Sequence, residues 1–278
     1  MSVRSLETVE LTKSFGGVTA VDRATVTFQN GKVNALIGPN GSGKTTFFNC
    51  VTGMIKPDSG TATYRGKDIT SKPSHVIARA GIGRSFQLCR IFPRMTVLEN
   101  MLVADPAQPG EGLFGCFVRH GAMVRREAEA RTKALELLAL LNIERLADEY
   151  AGTMSGGQRK LVELGRVLMT DPTMIMLDEP MAGVNPALTQ SLLDHVLNLK
   201  AQGMTVLFVE HDMHMVRHIA DWVVVMAEGR VVAEGDPHEV MKNPAVIDAY
   251  LGQHHDEDIG EDAGQEAENV DAIKELLE

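Results

Sequence analysis

The residues Gly38 to Thr46, GPNGSGKTT, offer mostly bare backbone until Lys44 and Thr45. The apolar run before them, Val33, Ala35, Leu36 and Ile37, reads as a buried strand. Thr45 to Val51 reads as a helix, stopped by Gly53 and followed by Pro57. A loop leading from the C-terminal end of a strand into a helix N-terminus gathers backbone N–H groups, and the helix dipole adds partial positive charge. Gly38, Gly41 and Gly43 let the chain approach a ligand closely. The expected ligand is therefore an anion. Lys44 adds a full positive charge and Thr45 a hydroxyl, completing the pattern G-x-x-x-x-G-K-[ST], which cradles phosphates and turns its hydroxyl to Mg2+. The plainer alternative is a glycine-rich turn that merely precedes Lys-Thr. The pattern implies a nucleoside triphosphate without saying what its hydrolysis drives.

Other residues have chemistry at meaningful positions. Asp178 and Glu179 close the apolar run Met174 to Leu177, at the strand end where parallel sheets bind ligands. Asp178 can hold Mg2+ and Glu179 can polarise an attacking water. Taken alone, an acidic turn explains the pair equally well. MSGGQRK, Met154 to Lys160, sets Ser155, Gly156 and Gly157 ahead of a helix, which makes either a second anion site or simply a Ser-capped helix. His211 follows the strand TVLFVE, at the edge expected for the loop and Asp178; an imidazole there can hydrogen-bond a terminal phosphate oxygen, although lone histidines are more often structural. Gln87, polar among the apolar residues of GRSFQLCRIF, can reach a metal or a water, or be a plain loop amide. Phe15, in KSFGG, is either a flat platform for a base or core.

The scaffold that must hold these residues follows from the patterning. Thr8 to Leu11, Ala24 to Phe28, Val33 to Ile37 and Thr61 to Tyr64 are strand-like. Thr96 and Glu99 form a capping box that opens a helical stretch reaching about Met169, within which Ala134, Leu137, Leu138 and Leu141 keep helical spacing. Beyond Asp171, strands and helices alternate, and the longest apolar run, Trp222 to Ala227, suits a buried strand. This is βα repetition with a helical insertion, hence an α/β parallel core. A hydrophobic content of 44% supports a core, while no run approaches the ~18 apolar residues of a membrane span. The N-terminal segment has no apolar stretch of signal-peptide type. Cys50, Cys89 and Cys116 are scattered and read as small hydrophobes in a reducing compartment. Of the net charge of −10, residues 253–278 carry −9 from ten acidic residues and one Lys, which leaves −1 for the rest. A near-neutral body gives no electrostatic reason to hold nucleic acid. The acidic tail is expected to be mostly disordered, with a short apolar stripe at Val270, Ile273, Leu276 and Leu277 that suits a terminal helix.

Together the motifs resemble the nucleotide-binding subunit of an ABC transporter. GPNGSGKT is similar to the Walker A loop, and Gln87 lies in a Q-loop. MSGGQ is similar to the signature motif, with Met154 where Leu is usual. IMLDEP is similar to Walker B, His211 to the switch histidine, and Phe15 occupies the adenine-stacking position. The resemblance implies an α/β P-loop NTPase core with a parallel sheet, an N-terminal antiparallel β region and a helical subdomain at about 96–169. The cassette would span residues 1–252, followed by the tail 253–278. It also implies ATP held by Gly38, Pro39, Asn40, Gly41, Ser42, Gly43, Lys44, Thr45 and Thr46, with Thr45, Gln87 and Asp178 managing Mg2+. Glu179 would be the base and His211 the sensor of the γ-phosphate. Ser155, Gly156, Gly157 and Gln158 would close over the nucleotide of a second ATPase subunit. Two membrane permease subunits and, indirectly, a periplasmic or lipid-anchored binding protein complete the implied assembly, at the cytoplasmic face of the cell membrane.

FQLCRIF, GLFGCFV, AGVNP, VEHDM and DAYLG most resemble the ATPase group of branched-chain (hydrophobic) amino-acid importers. Urea-importer and lipopolysaccharide-exporter ATPases are similar too, and a non-transport ABC ATPase shares the same motifs. DNA-repair and chromosome ATPases would need a long coiled coil, and ribosome-binding factors two ATPase units; neither stands in this chain. Asn185 occupies the place where the loop after Walker B usually carries Asp.

Overall fold

Four short apolar runs become strands buried on both faces: β3 (Val33–Ile37), β7 (Met174–Asp178), β8 (Thr205–Val209) and β9 (Trp222–Ala227). Near-continuous apolar sequence of this kind marks a parallel sheet covered on both sides. The computed structural model describes residues 4–85, 91–106, 120–182, 186–210 and 213–251. Within it the sheet runs in the order β10–β9–β3–β8–β7–β6, where β6 is Ile82–Arg84 and β10 is Arg230–Gly235. All neighbours pair in parallel except β10, which runs antiparallel to β9. Because the side-chain period of a strand is two, alternate residues enter different cores. Val33, Ala35 and Ile37, Ile175 and Leu177, Val206 and Phe208, and Val223 and Val225 face one core. Leu36, Met174 and Met176, Leu207 and Val209, and Val224 and Met226 face the other.

The second core lies beneath an antiparallel sheet, ordered β2–β1–β4–β5, made of β1 (Arg4–Phe15), β2 (Val18–Gln29), β4 (Ser59–Tyr64) and β5 (Lys67–Asp68). Helix α1 (Lys44–Val51) sits between the two sheets, with Phe47 edge-on to Phe28 of β2 at 6.1 Å between ring centroids. The short α2 (Ser74–Arg79) leads into β6. The first core continues into the helical region: α3 (Val97–Val103), α4 (His120–Leu140) and α5 (Gly156–Leu168) contribute Met101, Leu138 and Leu161 to the same cluster as Val33 and Ile175. α6 (Pro186–Ala201), α7 (Met213–Ile219), α8 (Pro237–Val240) and α9 (Pro244–Leu251) complete the described chain. The expected α/β class with an antiparallel region and a helical insertion is the class observed. The Thr96–Glu99 capping box is present in both directions. Cys50 is buried, as expected of a small hydrophobe; Cys89, Cys116 and the tail lie outside the described residues.

His195 of α6 is buried, 3.3 Å from the Ser191 hydroxyl, and burial pushes its pKa below the ordinary 6.5. A histidine held neutral in the folded state binds fewer protons than its unfolded counterpart below that value, so folding loses stability as pH falls through it. Denaturant midpoints measured between about pH 7.5 and about pH 5.5 should therefore fall, and fall less in His195→Gln. Equal losses in the two proteins would remove His195 as a source of acid sensitivity.

Candidate active site

Because β3, β6, β7 and β8 run in parallel, their C-terminal ends share one edge of the sheet, and the segments that follow them share it too. Ligands bind outside the carboxyl ends of such strands. Gly38 follows β3, Glu179 follows β7, Glu210 follows β8 and Ser85 follows β6. Gln87 and His211, both expected at the site, lie outside the described residues, as does Asn185.

The glycine loop is shaped by close backbone approach. Gly38 takes φ 149° and Gly43 takes φ 99°. A Cβ on Gly38 would strike the Met226 carbonyl, and one on Gly43 the Ala20 carbonyl of β2. Larger residues would push the loop off its neighbours. Above Gly41 there is open space. Lys44 folds back along the loop, and its Nζ donates to the Gly38 carbonyl at 2.7 Å, the Pro39 carbonyl at 2.7 Å and Ser42 Oγ at 3.3 Å. The ammonium thus stands inside the ring of backbone that a phosphate would enter, while Asn40 and Thr45 are exposed and Thr46 is half-buried at the first turn of α1. Phe15 is 48% exposed at the tip of the β1–β2 hairpin, with Lys13 Nζ 5.3 Å from its ring centre. It is therefore exposed at the hairpin tip and not core.

Asp178 ends β7 and is buried, whereas the next residue, Glu179, is only half-buried. Burial pushes the Asp178 carboxyl above its ordinary range. The charge and hydrogen bond of Arg84 oppose this, Glu179 adds to it, and the Lys44 ammonium opposes it from the loop. Arg84 Nη2 meets Asp178 Oδ2 at 3.0 Å, and its Nη1 donates to Asn49 Oδ1 at 2.7 Å and Thr52 Oγ1 at 2.8 Å on α1. Its guanidinium also lies over the Phe48 ring at 5.7 Å. The arginine therefore fastens α1, β6 and β7 together beneath the site. Mg2+ is usually held by one or two carboxylates together with substrate phosphates. A buried Asp178 at the same edge as the Thr45 hydroxyl fits that donor set. Glu179 sits at φ 47°, in the left-handed region that costs a non-glycine residue on the order of 1–3 kcal/mol and clusters at active sites.

Ser155 caps α5: its Oγ accepts from the Gln158 N–H at 3.2 Å, and its own N–H donates to Gln158 Oε1 at 2.9 Å. Ser155 and Gly156 are exposed, Gln158 is half-buried and Gly157 is buried. Ser155 thus fills the capping role, and the helix N-terminus it caps faces outward. A cavity of ≈ 340 Å3, lined by residues that include Met54, Ile77, Arg84, Glu163, Arg166 and Val167, opens between the α1–β6 side and α5. Next to it in sequence, Ile91 packs against the first core, while Phe92 is 43% exposed beneath Arg166 at 5.2 Å. Sequence reasoning missed Arg84, Lys160 and Glu210. Arg84 and Asp178 lie 94 residues apart, so no local spacing pairs them.

A family model described as ABC transporter matches residues 21–182, more than half of the chain. A second, described as branched-chain amino acid ATP-binding cassette transporter, matches residues 230–256. The chain is 42% identical over 255 residues to the probable branched-chain amino acid transport ATP-binding protein LivG of Archaeoglobus fulgidus, covering 92% of this chain and 98% of that one. It is 41% identical over 254 residues to the high-affinity branched-chain amino acid transport ATP-binding protein BraF of Pseudomonas aeruginosa, covering 91% and 100%. Among solved structures, an ATP-binding cassette of an ABC transporter in its ADP conformation superposes with TM-score 0.78 at 40% identity, covering 90% of this chain and 99% of that one. A nucleotide-free cassette superposes with TM-score 0.77 at 39% identity, covering 93% and 100%.

Proposed function

The chain belongs to the ABC transporter family, as an ATP-binding and ATP-hydrolysing subunit, and on that premise we propose that it drives a membrane importer of branched-chain, hydrophobic amino acids. The observation that carries the chemistry is one sheet edge. It holds a lysine-lined glycine loop at the end of β3, and Asp178 and Glu179 at the end of β7, two strands away. The names of the relatives and the match at residues 230–256 support the choice of cargo.

On this reading Lys44 and the loop amides from Gly38 to Thr46 bind the β- and γ-phosphates, and Phe15 stacks on the base. Mg2+, when bound by Thr45, Asp178 and Gln87, supplies positive charge against the phosphate oxygens. Glu179 accepts a proton from the attacking water, and His211 hydrogen-bonds the γ-phosphate. Ser155, Gly156, Gly157 and Gln158 present the α5 N-terminus to a nucleotide held by a second subunit, so ATP joins the two. Positioning and electrostatics, not covalent catalysis, carry such a reaction. The cassette is taken as residues 1–252, with its helical subdomain at about 96–169 and the acidic tail 253–278 appended. Among the described residues no helix is long and apolar enough to cross a membrane, which fits a subunit seated at the cytoplasmic face on two permease subunits.

Assembly with those permeases and a binding protein in proteoliposomes should give ATP-dependent uptake of leucine, isoleucine or valine. Uptake of urea instead, or of no amino acid, would overturn the cargo assignment. The residues that follow Gln87, Leu88, Cys89, Ile91 and Phe92, are unusually apolar for a loop and suit a contact with a permease helix. Since Ile91 packs inward, Ile91→Asp should cost stability and ATPase activity together, whereas exposed Phe92 is the residue that can report coupling. Phe92→Ser should keep basal ATPase activity within about twofold and lower uptake about tenfold or more. Undiminished uptake would remove Phe92 from the contact.

A further inference from the structure

We infer that Lys160 and Glu210 form a clamp on the turn 179–182, which positions Glu179 and ties it to the signature helix α5 of its own chain. The inference rests on the proposed role of Glu179 as base. The turn is gripped from two sides. Lys160 Nζ, from α5, donates to the Pro180 carbonyl at 2.9 Å and the Ala182 carbonyl at 2.5 Å, and reaches the Glu179 carbonyl at 3.4 Å. From the sheet, Glu210 Oε1 accepts from the Met181 N–H at 3.0 Å, and the Val209 carbonyl accepts from the Glu179 N–H at 3.1 Å. Glu210 is 2% exposed at the end of β8. An ammonium offers three donors, and here three carbonyls of one turn stand around it. A bond from the Ala182 N–H to the Glu179 carbonyl at 3.2 Å closes the turn itself.

This arrangement holds a residue that would not settle there by preference. Glu179 sits at φ 47°, and a non-glycine residue stays in that region only where its surroundings enforce it. The Lys160 charge offsets the crowded carbonyls, and the buried Glu210 carboxylate fixes the amide between them. Misplacing a reacting group by about 1 Å can cost about 10²-fold in rate, so the clamp bears directly on turnover. It also links two functions of one subunit. Lys160 stands five residues beyond Ser155, about 7.5 Å along a rigid helix. When Ser155 engages a nucleotide held by the partner subunit, any displacement of α5 reaches the turn carrying the chain's own Glu179. Glu163, a turn further along α5, lines the same small cavity as Asp178 and Glu179.

The test uses the full-length chain and compares wild type with Lys160→Met and Lys160→Arg. With Lys160→Met, kcat should fall roughly 10- to 100-fold, while KM for ATP and the Kd of a fluorescent ADP analogue stay within about twofold. Lys160→Arg, which keeps the charge, should recover most of the rate. In a Glu179→Gln background, ATP-driven dimerisation should persist in Lys160→Met, because the clamp acts on the chain's own base and leaves Ser155 in place. If Lys160→Met folds poorly, Lys160→Gln takes its place in the same comparison. An unchanged kcat, or a loss of dimerisation parallel to the loss of kcat, would overturn the clamp and leave the ATPase reading intact. Failure of the wild-type chain to bind ADP or hydrolyse ATP would overturn the ATPase reading itself, and the clamp with it.

Discussion

Glu179→Gln should bind MgATP as wild type does and turn it over about 10²- to 10⁴-fold more slowly, the loss expected when a positioned proton acceptor is removed. The substitution is nearly isosteric, and the structure gives it little reason to disturb folding. The carboxylate is half-buried, and the contacts that hold the turn go to the backbone of residues 179–182, which Gln keeps. Without hydrolysis, the bound ATP is not converted to ADP and phosphate, so the two-subunit form held by ATP should accumulate and be seen by size exclusion. Turnover within about threefold of wild type would show that another group takes the proton. Asp178 is a poor substitute, because Arg84 holds its carboxylate at 3.0 Å.

Lys44→Ala should act one step earlier. The ammonium is the full positive charge inside the glycine loop, and a hydrogen bond to a charged group contributes on the order of 1.5–3 kcal/mol, so affinity for ADP should fall by roughly 10- to 100-fold. Lys44 also bonds to the Gly38 and Pro39 carbonyls and to Ser42, so the variant should lose some thermal stability as well. Adenosine, which carries no phosphate, separates the two effects. A defect confined to the phosphate-binding charge leaves adenosine affinity unchanged, whereas a collapsed loop lowers both. A Kd for ADP within about twofold of wild type would remove Lys44 from phosphate binding.

Much of this site was legible in the sequence because its parts are local. The glycine loop, the carboxylates ending an apolar run and the capped start of α5 each occupy fewer than ten consecutive residues, and each keeps its expected element. The buried strands were legible because both faces are apolar. The outer sheet was legible only in part. β2 was expected from Ala24 to Phe28 and runs from Val18 to Gln29, since register shifts against β1 break the alternation that periodicity detects. β5, two residues long, and β6, three, are too short for any period. What the sequence hid at the site is tertiary pairing: Arg84 with Asp178, Lys160 with the turn after Glu179, and Glu210 with Met181. These partners lie from about twenty to nearly a hundred residues apart, and the pairing of β6 with β7 and the packing of α5 and β8 bring them together.

Since β3, β7, β8 and β9 give one face to each core, neither half of the molecule can melt by itself. Opening the helical region strips Ile175 and Val206 of their neighbours, while the same backbone ladder still carries Met176 and Leu207 on its other side. Native-state amide exchange should therefore find the four strands in a single slow cooperative unit, exchanging only through global unfolding, with α4 and the β1–β2 hairpin fraying from either flank at lower free energy. A one-residue slip of any of these strands would exchange the contents of both interiors at once. The sheet is thus a party wall, and damage to it from either side should register in the exchange rates of the other.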